Sequence, residues 1–205
     1  MPLWGNAHAS ATNKPKFLPA DEDSDYNRAD CYATQEGWVM QAGHPSSGNG
    51  NTSADPEILV ASGGLAGATD TTGLRAPTVT SMRFVKGTTA NTDLTAVDST
   101  GRVMVEITWD EEVTVVGSPQ VVVANNNASG GGFGNYTLTY TATGSTANRK
   151  RFTATSQSLG NTDVLTLGGS NISLNSGTIK DTASGAVNAS LVLSGLSAVA
   201  VTVAS

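Results

Sequence analysis

Asp110-Glu111-Glu112 sets three carboxyl groups in a row, and with Asp181 they could offer the hard oxygen ligands that calcium takes. No EF-hand loop and no Gly-Gly-x-Gly-x-Asp repeat accompanies them, so three acids at a strand end are expected simply to be solvated. Cys31 is the single cysteine, and only His8 and His44 could serve it as a base. No nucleophile signature surrounds it, and a packed cysteine is the expected reading. Zinc would need a cysteine or histidine cluster that the sequence lacks. Neither a Gly-x-Ser-x-Gly elbow nor a P-loop occurs, and no carboxylates are paired at interpretable spacing. The residues therefore point away from an enzyme, and no cofactor or metal is expected.

Arg149-Lys150-Arg151 is the one basic cluster, read as a solvated hairpin tip or strand start. There is no basic stripe, which argues against direct nucleic-acid binding. Charged residues make up 14% of the 205 positions, against roughly 25% in ordinary soluble domains. Gly, Ser, Thr and Asn take their place and favour strands and turns. The net charge of −6 is uneven: residues 1–76 hold four basic and nine acidic groups, residues 77–205 seven and eight. No stretch approaches the ~20 apolar residues of a membrane span. Met1-Pro2-Leu3-Trp4-Gly5 has neither a positive n-region nor an apolar h-region, so use without conventional export is expected.

The elements that would position these groups are strands. In the stretch from Arg102 to Ala124, Val103, Val105, Ile107 and Trp109 alternate with Met104, Glu106 and Thr108. Period two puts the first set on one face, predicted buried. Gly117-Ser118-Pro119 punctuates before Val121-Val122-Val123, and the stretch reads as a strand pair at the centre of a sandwich. Further strands are expected at Val79–Lys86, Tyr136–Ala142, Lys150–Thr155, Val164–Leu167, Asn171–Leu174, Thr178–Asp181, Ser190–Leu193 and Val199–Val203. Eight to ten strands joined by Gly-rich turns predict an all-β, immunoglobulin-like antiparallel β-sandwich over residues 77–205.

Residues 1–76 read as an extended N-terminal anchoring arm or small subdomain with a linker. Pro2, Pro15 and Pro19 keep the first part extended. Ser24–Ala33 is the only expected helix, and Gly37–Met40 and Pro56–Ala61 read as short strands around a polar loop from Gly43 to Asp55. This portion holds too little apolar material to stand comfortably alone and should lean on a partner.

Two segments resemble known families. Ile107–Val123 (ITWDEEVTVVGSPQVVV), YTLTYTATGS and ISLNSGTIKDTASGAVNASLVL resemble the immunoglobulin-like repeats of bacterial surface proteins, and Gly177-Thr178-Ile179-Lys180-Asp181 is the most specific piece. Trp109 stands where those repeats carry Phe or Tyr. Pro2-Leu3-Trp4-Gly5, Asn13–Leu18, Gly37-Trp38-Val39 and Glu57–Ala61 resemble the opening of virion structural proteins of tailed, T4-like marine cyanophages.

That resemblance implies a capsid decoration protein, a non-enzymatic part of the virion. It would be assembled in the host cytoplasm and carried on the outer surface of the capsid. Trp4, Lys14, Pro15, Lys16, Phe17, Leu18 and Trp38 would anchor it. Its partners would be the major capsid protein or other virion proteins, in a homo-oligomer or symmetry-imposed multimer. The outward domain would be open to weak contact with host-surface glycans. A neck, tail or baseplate position is the alternative on a particle. A secreted bacterial adhesin or carbohydrate-binding module is the alternative off it.

Overall fold

Strict alternation decides which side of the central strand meets the core. Val103, Val105, Ile107 and Trp109 are all fully buried, on the face their spacing predicts. The computed structural model describes residues 14–19, 28–47, 49–61, 76–86, 89–90, 94–95, 103–126, 134–154 and 159–204. Trp4, His8, the expected helix start at 24–27, the linker at 62–75, Arg102 and the Gly-rich stretch 127–133 lie outside them.

The chain is all-β. β1 (Cys31–Ala33), β2 (Gly37–Met40) and β3 (Glu57–Ala61) form a small antiparallel sheet in that order. Then come β4 (Val79–Lys86), β5 (Thr89–Ala90), β6 (Leu94–Thr95), β7 (Met104–Trp109), β8 (Val113–Val116), β9 (Gln120–Asn125) and β10 (Tyr136–Thr141). β11 (Arg149–Thr153), β12 (Val164–Leu167), β13 (Thr178–Asp181) and β14 (Val199–Ala204) complete the order. Nine of these make one sheet, β5-β4-β7-β11-β10-β9-β12-β14-β6, while β8 and β13 pair separately. The pairing is antiparallel except where β14 meets β6. The large sheet and the β8–β13 pair enclose the main core in an immunoglobulin-like β-sandwich that verges on a barrel, and the β1–β3 sheet carries a small core of its own.

Three expectations need correction. β7 and β9 are not a pair: β11 and β10 lie between them, and the chain crosses at Asp110–Glu112 into β8 on the other sheet. Asn171–Leu174 and Ser190–Leu193 are not strands. They run beside neighbours through isolated contacts, Ser173 exchanging two backbone hydrogen bonds with Gln120, Ile172 N–H donating to the Leu191 carbonyl at 3.0 Å and Ser190 N–H to the Pro77 carbonyl at 2.7 Å. The expected helix ending at Ala33 is, in its described part, one 3-10 turn (Arg28–Asp30) followed by β1. Cys31, Tyr32 and Ala33 are all buried, so β-pairing with β2 outweighs the local acidic signal that favoured a helix.

The Gly177-Thr178-Ile179-Lys180-Asp181 block has a physical reading. A Cβ at Gly177 would lie 2.4 Å from the Val116 carbonyl oxygen, and one at Gly117 (φ +81) 2.8 Å from Gly177 Cα. Two backbones therefore touch where β8 ends and β13 begins, and only glycine permits it. Ile179 fills the core, and Asp181 accepts hydrogen bonds from the Ala183 and Ser184 amides to close the following turn. Gly177→Ala is expected to cost about 1–3 kcal/mol through forced displacement of β8. Thermal unfolding checks this, and an unchanged midpoint would mean the contact relaxes freely.

Candidate functional site

The outer face of β7 should meet solvent, and it does not. Glu106 is 2% exposed, and Thr108 is buried beside it. Cross-strand register brings Arg83 of β4 and Arg151 of β11 opposite Glu106. Arg83 donates to Glu106 Oε2 through Nε at 3.1 Å and Nη2 at 3.0 Å, and Arg151 Nη2 meets Oε1 at 2.5 Å. Arg149 Nε stands 3.6 Å from the same carboxylate, and its Nη2 pairs with Asp30. Asp30 in turn lies 2.9 Å from His44 Nε2. A ladder of charges thus runs from the sandwich into the N-terminal subdomain.

The Arg149-Lys150-Arg151 cluster is therefore not solvated. Lys150 and Arg151 are buried, and the Lys150 ammonium donates to the Thr146 carbonyl at 2.6 Å. Burial pushes its pKa down to about 8, against the pull of Glu112. Spacing alone could not reveal this: Lys150 lies opposite Ile107 on β7, Arg151 opposite Glu106, and Arg149 reaches Asp30, more than a hundred residues earlier.

The acidic run is likewise buried in part. Asp110 and Glu111 are inaccessible, while Glu112 is exposed. Asp110 accepts from Thr78 N–H at 2.6 Å and Thr78 Oγ1 at 2.5 Å, and burial still raises its carboxyl. Among the described residues no group of three or more His, Cys, Asp or Glu is placed to share a metal ion.

One arrangement escaped the sequence reading. Asp30, His44 and Ser46 line up, with Ser46 Oγ 2.7 Å from His44 Nδ1 and Asp30 on the other ring nitrogen. Types and distances suit nucleophile activation. The backbone amides that would steady an oxyanion are committed elsewhere: Ser46 N–H to His44 Nδ1 and Ser47 N–H to the His44 carbonyl. The trio secures the 3-10 turn Pro45–Ser47 to Asp30 and so to the sandwich. Cys31 is no better placed for chemistry, since burial, opposed by Lys14, pushes its thiol up to about 11.

The expected anchoring residues divide into two sets. Lys14 (3% exposed), Pro15 and Trp38 are buried within the chain. Lys14 Nζ sits 5.9 Å from the Trp38 ring centroid and donates to Thr80 Oγ1 at 3.4 Å. Leu18 packs on a small core of Cys31, Ala33, Trp38 and Met40. Lys16 and Phe17 face outward, Phe17 at 67% exposure. Thus Lys14, Pro15, Leu18 and Trp38 hold this stretch to its own body, and Lys16 and Phe17 point into solvent.

The small sheet leans on the sandwich of the same chain. Ala33 bridges to Glu111, and its N–H donates to the Asp110 carbonyl at 2.6 Å. Among the described residues no helix is long and apolar enough to cross a membrane. Comparison with protein families, curated proteins and solved structures finds no match to the chain.

Proposed function

We propose that the protein is a non-enzymatic structural component of a phage virion, a capsid decoration protein whose N-terminal stretch docks on the particle while the sandwich projects outward. The observation that carries this reading is Phe17. A large aromatic side chain stands mostly in solvent on a base clamped by Lys14, Pro15 and Leu18. Ordering such a group before binding lowers the entropy lost on docking, and aromatics are frequent energetic anchors of interfaces. Lys16 beside it adds a charge that would favour an acidic rim on a capsid protein. The low-charge Thr, Ser and Asn surface of the sandwich suits weak contact with host glycans.

Phe17→Asp is expected to remove the protein from purified particles while leaving its unfolding midpoint unchanged, since the side chain packs on little. Full occupancy of the variant, measured by mass spectrometry of particles, would refute anchoring through Phe17. Separated heads and tails, analysed the same way, distinguish the capsid from the neck or baseplate. Recovery from the medium of uninfected bacteria and not from virions would instead establish the secreted adhesin.

A further inference from the structure

Glu111 differs from the acids around it. Its residue is 1% exposed, and neither carboxyl oxygen has a hydrogen-bond partner among the described residues. Asp110 is satisfied by Thr78, and Asp181 by the amides of Ala183 and Ser184. The backbone of Glu111 is also one of the places where the two parts of the molecule join, through its bridge to Ala33 of β1, beside the Lys14–Thr80 and Asp30–Arg149 contacts. A carboxylate without donors in a dry site beside two other acids is much less stable than the neutral acid. We propose that the join between the β1–β3 sheet and the sandwich is a proton-dependent lock, closed while Glu111 is neutral and loosened when it ionises.

The surrounding charges fix the direction. Burial first, then Asp110 and Asp181, hold the Glu111 acid at about 8, above its ordinary 4.5. The closed form therefore binds the proton more tightly than an open one. Its stabilisation is complete below the ordinary value and is lost as pH rises through about 8. Asp110, raised by burial and faced by Lys14 from the arm, acts in the same direction. Lys150, facing Glu112 from β11, acts oppositely and only at higher pH. Lowered to about 8 from 10.5, it favours the folded form as pH climbs between those values. Tyr32 of β1, raised to about 12 by burial and Glu112, and Cys31, raised to about 11, titrate above the window.

Cys31 lies in β1, is fully buried and is the only cysteine, so its modification by a water-soluble disulfide reagent reports opening of the join. The rate is measured on the full chain from about pH 6 to about pH 9 and divided by the rate for denatured protein at each pH, which removes thiol ionisation. In the wild type this ratio should rise roughly tenfold per pH unit and level off near the Glu111 pKa. Glu111→Gln should flatten it. Parallel curves for the two proteins, or a flat wild-type curve, would overturn the lock. Should the variant not fold, hydrogen exchange of the wild type decides alone. Protection falling with pH in 31–40 but not in 164–167 supports a local lock, and equal loss in both, or in neither, refutes it.

Discussion

Replacing Glu106 with alanine is expected to destabilise the fold by about 3–5 kcal/mol, because it strands buried cations. Arg83, Arg149 and Arg151 all approach this one carboxylate, from the strands on either side of β7. Arg149 also pairs with Asp30, and Arg151, the most buried of the three, pairs with Glu106 alone among the described ion pairs. Removing Glu106 leaves three largely buried guanidinium groups close together, with Arg151 the least accessible. Glu106→Gln keeps the volume and loses the charge, so most of the cost should persist. Salt should recover little of it, since buried charges are weakly screened. Urea unfolding of the wild type and both variants checks this. A change below about 1 kcal/mol would mean the arginines turn to solvent and the cluster behaves as a surface pair.

Trp109→Ala should cost a similar amount, about 3–5 kcal/mol, by a different route. The indole is 0% exposed, at the end of β7, and its Nε1–H donates to the Ser190 carbonyl at 3.0 Å. Truncation opens a cavity and leaves that acceptor unpaired within a core that cannot collapse easily. At roughly 2–4 °C per kcal/mol for a chain of this size, the midpoint should fall by about ten degrees. Trp109→Phe separates the terms, because it restores most of the volume and not the donor. If the two variants were equally unstable, the hydrogen bond would dominate over the cavity.

Legibility in the sequence followed the range of the forces. Period-two alternation identified the buried face of β7 and placed Val79–Lys86, Val164–Leu167 and Thr178–Asp181 without error, because side-chain direction along a strand is a local property. Which strands adjoin is not local, so β7 and β9 were joined across the place where β11 and β10 belong. The outer face of β7 carried the same lesson. Glu106, Arg149 and Arg151 look like ordinary exposed positions until strands distant in sequence bring them together and Asp30 joins Arg149. The Asp30–His44–Ser46 alignment and the Glu111 site escaped for the same reason. Of the anchoring set, Phe17 kept an outward position, and Lys14 and Trp38 turned inward to each other.

The route by which the arm is tied down has a mechanical consequence. Lys14 bonds to Thr80 of β4, Ala33 to the end of β7, and Asp30 to Arg149 of β11. These three strands are neighbours in the large sheet. Tension applied through the arm is thus shared over three adjacent strands instead of peeling one from an edge. The load is spread over their mutual ladders, and β12 and β14, farther along the sheet, carry little of it. A tether built this way resists pulling without depending on the strength of any one bond.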